Sequence, residues 1–227
     1  DNKFDFTKLN PHISAYQNVR VAADMSACDT LVRRFIQEFP FGTVIHLACR
    51  LDNMFGRVDN GTIQWFSVDS HNIMSIRRSM YGEREREKTI GRRLMDFSWM
   101  DEINCKQNQG VLFVCDDGFS YLGKNEVRDL IEKIRMTFPG SRLVFTASTT
   151  VANFAANAWK HSQTVLKRRK RRFSVNDAEQ LLGAWRPDYR LIEEQPIMRY
   201  IEIPRDAGVI TKLMCKYNRV GYNHRIV

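Results

Sequence analysis

An open, mostly parallel α/β sheet with helices on both faces is the fold class this sequence predicts, and three observations predict it. Apolar runs of strand length alternate with amphipathic stretches of helix length through much of the chain. The clearest run, Val111-Leu112-Phe113-Val114-Cys115, is continuously apolar, as a strand covered on both faces must be. The stretch from Thr43 to Asp69 reads as strand, tight turn, helical piece and second strand, ending on an acid about 20 residues after the turn. Nucleotide-containing ligands are held this way: turn N–H groups take the polar end and the carboxylate takes ribose hydroxyls.

Taken in order, the first 40 residues read as a loose start followed by a helix. Val19 to Met25 and Leu31 to Ile36 place apolar residues at three- and four-residue spacing, and Pro40-Phe41-Gly42 stops the helix. Thr43 to Ala48 forms the first strand, Cys49-Arg50-Leu51-Asp52 the turn, and Ile63 to Val68 the second strand. Ser70 to Tyr81 predicts a helix with Ile73, Ile76 and Met80 on one face and Ser70 as its cap. Residues Tyr81 to Lys88 are too charged to be buried, and Thr89-Ile90 makes a short strand. After the Val111 to Cys115 strand come Asp116-Asp117-Gly118, two carboxylates at a strand's carboxyl end. Glu126 to Phe138 is amphipathic helix, closed by Pro139-Gly140, and Leu143 to Ala147 is the next strand.

The rhythm changes after Ala147. Thr150 to Arg172 predicts a helix that becomes strongly basic, and Val175 to Trp185 another. Tyr189 to Glu193 reads as a strand, Pro204 to Tyr217 as helical, and Tyr222 to Val227 as a last strand. The chain is treated as a single domain in four parts: an N-terminal helical segment (1–40), a cofactor-binding half (41–149), a helical insertion (150–186) and C-terminal strands with a helix (187–227).

Composition narrows the function classes. With 227 residues, 43% hydrophobic and 27% charged, the chain has ample material for a core. No apolar run approaches the roughly 18 residues of a membrane span, and the first residues lack the pattern of a secretory signal. Five scattered Cys with no CxxC pair support neither a disulfide framework nor a structural zinc site, so free thiols in the cytoplasm are expected. The net charge of +9 falls to +3 without the run Lys167-Arg168-Arg169-Lys170-Arg171-Arg172. Such a run is a solvated face or an attractor of anionic partners. Aromatic interleaving and a nucleic-acid motif are both missing, which ranks nucleic-acid binding last. No Ser/His/Asp or Cys/His pairing sits in a hydrolase motif.

Four segments carry a resemblance. Ile45-His46-Leu47-Ala48-Cys49-Arg50-Leu51-Asp52-Asn53-Met54-Phe55-Gly56-Arg57 is similar to a loop of pattern V-x-L-G-A-G-L-D-T-R-F-Y-R. Trp65-Phe66-Ser67-Val68-Asp69 matches a second strand ending on a ribose-binding acid. Leu94 to Asp101 resembles L-L-D-P-S-W-L-D, and Asp116 to Leu122 resembles E-G-V-L-M-Y-L. In this order and spacing, over residues 20–195, they resemble the leucine carboxyl methyltransferase family, in its branch of polyketide-type O-methyltransferases.

That resemblance implies a seven-stranded, Rossmann-like methyltransferase sheet with a helical cap, S-adenosylmethionine as cofactor and a small-molecule methyl acceptor. It implies cofactor contacts from Ala48, Arg50, Asp52, Asp69, Arg93, Leu94 and Asp116, with Tyr121 approaching the acceptor or packing as core. The departures are specific. Ala48 and Arg50 replace both loop glycines, and Arg93 stands where an acid contacts adenine. Asp24 stands where a base pairs with the methionyl carboxylate, with Arg20 one turn earlier as a substitute. Arginines lining the pocket would favour an anionic acceptor and disfavour a sulfonium. Arg50 either fills the cofactor's space or swings outward. Locked to a neighbouring acid across the hollow, it would leave only an inherited scaffold, a non-catalytic relative kept for binding or assembly.

Overall fold

The computed structural model describes residues 15–161, 170–202, 212 and 222–226. Helix α1 (Ala15–Glu38) precedes β1 (Thr43–Leu47), α2 (Met54–Val58), β2 (Gln64–Asp69), α3 (His71–Tyr81) and β3 (Glu87–Gly91). Then follow β4 (Val111–Cys115), α4 (Lys124–Thr137), β5 (Arg142–Ser148), α5 (Thr150–His161), α6 (Ala178–Trp185), β6 (Glu193–Pro196) and β7 (Tyr222–Ile226). The strands form one sheet in the order β3-β2-β1-β4-β5-β7-β6. The first five are parallel. β7 runs antiparallel to both β5 and β6.

Strand side chains alternate between two apolar layers, because successive Cβ atoms leave a strand on opposite faces. Ile45, Leu47, Phe66, Val68, Phe113 and Phe145 join residues of α4 and α6 on one face. Val44, Trp65, Leu112, Val114 and Val144 face the other way, against α1 and α2. Both faces are therefore covered, and β1 and β4 are buried throughout. Among the described residues no helix is long and apolar enough to cross a membrane.

Several expectations need correction. In α3 the buried positions are Met74 and Arg77, while Ile76 is exposed. The reason is an ion pair: the sealed Arg77 guanidinium donates to Glu87 Oε1 at 2.8 Å, and that carboxylate side chain is only 4% exposed. Glu87 thus refutes the reading of 81–88 as too charged to bury, since a buried charge is tolerated when paired. Ser70 precedes α3 but its side chain makes no capping bond. Residues 170–177 are not helical; they form an extended strap, and α6 begins only at Ala178. The strand expected at 189–193 is shifted to Glu193–Pro196. The helix expected at 204–217 lies outside the described residues, apart from position 212.

Candidate functional site

Strand order reverses between β1 and β4. The crevice beyond their carboxyl ends is where a sheet of this kind takes a ligand. Three segments converge there: the turn at 48–52, the end of β2 and the end of β4.

The turn keeps a glycine-type backbone without glycine. Ala48 and Arg50 have φ of 50° and 51°, in the left-handed region, which costs a side-chain-bearing residue roughly 1 kcal/mol or more. Bracing from below holds it. The Arg77 guanidinium donates to the Asp52 carbonyl and, at 3.3 Å, to that of Arg50. The Tyr81 hydroxyl donates to the Leu51 carbonyl at 2.6 Å. Gly118 completes the fit, because a Cβ there would lie 2.7 Å from Ala48 Cβ and 2.8 Å from Cys115 Sγ.

Arg50 ties the crevice together. Its backbone N–H donates to Asp69 Oδ2 at 2.9 Å, and its guanidinium donates to Asp116 Oδ2 at 2.5 Å. The guanidinium lies across the crevice on a neighbouring acid rather than swinging outward, the arrangement expected of an inherited scaffold. It stays accessible, however: the Arg50 side chain is 49% exposed and that of Asp116 is 11% exposed. Asp116 raises the Arg50 pKa well above its ordinary value. Asp69 also accepts from the Ser70 N–H at 2.7 Å through Oδ1. Each oxygen of Asp69 thus has one backbone donor and retains further lone-pair capacity.

Beneath this lies a polar cluster that sequence reasoning placed only in part. Among the described residues, Asp116 Oδ1 and both ring nitrogens of His46 are buried without hydrogen-bond partners. The His46 Nε2 to Asp116 Oδ1 separation is 3.9 Å, too long for a hydrogen bond. Burial pushes the Asp116 carboxyl up, but His46 and Arg50 outweigh it and hold it below its ordinary value. At that separation His46 acts through space, so Arg50 is the firm partner. Asp24 of α1, 6% exposed, accepts from the Thr146 hydroxyl at 2.6 Å. Burial, then the charge of Asp116, pushes its carboxyl up to about 7. A polar residue in the apolar run TVIHL, and an acid in the helix stretch VAADM, were the available signals for His46 and Asp24.

The other expected site residues disperse. Asp52 accepts from both Arg57 Nη atoms at 2.5 and 3.0 Å, and Arg57 also holds Asp29 at 2.7 and 2.9 Å. Asp52 is therefore engaged within its own loop. Arg93 is exposed beyond β3. Leu94 packs against the core, and its carbonyl accepts from Trp99 Nε1 at 3.0 Å. Tyr121 is half-buried, with the Arg171 guanidinium 5.9 Å from its ring centroid. Arg171 itself is the unforeseen residue: buried, it donates to Asp117 Oδ2 at 2.6 Å and to Ser120 Oγ at 3.0 Å. Those bonds anchor the strap over the ends of β4 and β5, helped by the Val175 N–H on the Ser148 carbonyl at 2.9 Å. Burial raises the Cys49 thiol to about 12, so it is no nucleophile. Among the described residues no group of three or more His, Cys, Asp or Glu is placed to hold a metal.

No protein-family model matches the chain. It is 25% identical over 146 residues to the tetracenomycin polyketide synthesis O-methyltransferase TcmP of Streptomyces glaucescens, covering 63% of this chain and 52% of the relative. It is also 25% identical over 166 residues to the S-adenosyl-L-methionine-dependent methyltransferase dpfgK of Gibberella zeae, covering 68% and 55%. The chain thus spans about half the length of the curated relatives it matches. Among solved structures, the magnesium protoporphyrin IX methyltransferase ChlM of Synechocystis with bound SAH superposes with a TM-score of 0.57 at 9% identity, over 96% of this chain and 88% of that one.

The fold is that of a methyltransferase.

Tested against the cofactor of this fold, S-adenosylmethionine, the crevice fits at one end and fits conditionally at the other. The bend of the turn and the spare lone pairs of Asp69 suit an adenosyl group. At the inner end Asp116 suits a cation and already holds one, the half-exposed guanidinium of Arg50.

Proposed function

We propose that the chain is an S-adenosylmethionine-dependent O-methyltransferase acting on a hydroxyl or carboxylate of a small molecule, in the polyketide-type branch of the leucine carboxyl methyltransferase family. One observation carries the reading: Asp69 and Asp116, acids at the carboxyl ends of β2 and β4, are joined over the switch point by a single turn of glycine-type backbone. The names of the two curated relatives support it. When bound, S-adenosylmethionine supplies an electrophilic methyl group on a sulfonium. Asp69 would take the ribose hydroxyls, the turn at 48–52 the polar face, and Asp116 the cationic end once Arg50 gives way. Alignment and exclusion of water do most of the remaining work in methyl transfer. The strap at 170–177 with α5 and α6 would form the helical cap over the acceptor, and Tyr121 beside the strap would face it.

A second reading is favoured by the Arg50–Asp116 contact itself. If the guanidinium never leaves, the chain is the inherited scaffold, a non-catalytic binding or assembly partner. Partial exposure of Arg50 ranks this second, because an ion pair with one partner in water exchanges readily. Calorimetric titration with S-adenosylmethionine separates the two. Heat of binding by the native chain supports the methyltransferase. Silence at millimolar ligand, with binding appearing only in Arg50→Gly, supports the scaffold.

A further inference from the structure

Beyond closing the crevice, we infer that Arg50 is its specificity determinant: a displaceable internal cation that yields Asp116 to the ligand's ammonium and then holds the ligand's carboxylate. The inference rests on the cofactor reading above and deepens it.

The geometry divides Arg50 into a fixed part and a movable part. The backbone N–H is fixed on Asp69 at 2.9 Å, and Arg77 clamps the carbonyl at 3.3 Å. The side chain is 49% exposed, and its guanidinium bonds to Asp116 and not to the turn. Asp116 cannot be left bare. Its side chain is 11% exposed, its Oδ1 has no hydrogen-bond partner among the described residues, and the nearby Asp24 adds a second acid. A cation must therefore replace the guanidinium as it departs, because a buried carboxylate without a partner is costly.

An amino-acid tail meets that condition. Its ammonium takes the place on Asp116, and its carboxylate offers the freed guanidinium a new partner. One ion pair within the protein becomes two between protein and ligand, with no charge left unmatched. A ligand with the same nucleoside but no such tail gains nothing from opening the pair.

The test compares two ligands on the native chain, Arg50→Ala and Arg50→Lys by calorimetry: S-adenosylhomocysteine, with a zwitterionic tail, and 5′-methylthioadenosine, without one. Charge-assisted hydrogen bonds set the scale. The native preference for S-adenosylhomocysteine is expected to shrink about 10- to 100-fold in Arg50→Ala, through weaker S-adenosylhomocysteine binding with 5′-methylthioadenosine little changed. Arg50→Lys should retain much of the preference, because it keeps the charge. An unchanged ratio in Arg50→Ala, or tighter binding of both ligands together, would overturn the role of Arg50 while leaving cofactor binding intact. Failure of S-adenosylhomocysteine to bind either the native chain or Arg50→Ala would remove the cofactor reading and this inference with it.

Discussion

Asp116 and Asp117 are consecutive residues, each paired with an arginine from a different loop, and the two pairs do different jobs. Asp117 and Arg171 are both sealed, at 7% and 5% side-chain exposure, and Ser120 completes the hydrogen bonding. Asp116 is nearly as buried, but its partner Arg50 stands half in water. Burial of the acid is thus similar in the two pairs, and solvent access of the base separates a staple from a latch. A sealed pair cannot open without stranding two charges, whereas an exposed guanidinium regains hydration as it leaves.

The largest expected effect breaks the staple. Arg171→Met leaves Asp117 buried without its cation and should cost about 3–5 kcal/mol. It should also free the strap at 170–177, seen as a lowered Tm and as loss of amide protection at Arg172, Phe173 and Val175. Next comes Asp24, where burial outweighs the nearby charge of Arg20. Asp24 has a folded pKa of about 7 against an ordinary 3.8, so the native state holds its proton more tightly than the unfolded chain. Stability from this group is full below pH 4 and declines as pH rises towards 7. Asp24→Asn should therefore stabilise by on the order of 2 kcal/mol at pH 8 and change little at pH 4, read from denaturant midpoints. The smallest effect is on the latch. Arg50→Ala should cost about 1–2 kcal/mol without ligand, because it strands Asp116 but also opens that carboxylate to water. A loss as large as that of Arg171→Met would erase the distinction between the two pairs.

Periodicity and continuous apolarity made β1, β2, β4, β5 and α4 legible, because a strand covered on both faces has little choice of residue, whereas the charged edge strand β3 was legible only at Thr89-Ile90. The acids at the ends of β2 and β4 were legible for the same reason: they stop apolar runs. The pairing of charges was not. A guanidinium reaches far from its own backbone, so Arg77 could brace a turn near position 50 and Arg171 could cross to Asp117 without any local sign. Local periodicity also favoured extending the helix from 150 through the basic run. Hydrogen bonds from Arg172 and Phe173 to Ser120, and from Asn153 and Asn157 to the strap, instead hold 170–173 extended. Those are long-range contacts that no window of sequence reports.

The strap also changes what a passing polyanion would meet. Of the six consecutive basic residues at 167–172, Arg171 is sealed on Asp117 and Arg172 leans on Glu126 at 3.1 Å. Sealing Arg171 leaves at most five charges of the run to displace counterions, since the exposed Arg172 can exchange, which limits the run's contribution to the log–log salt slope to about −4.5 on duplex DNA. The cationic block that dominates the composition is thus in part interior carpentry, and the run presents fewer outward charges than its six residues imply.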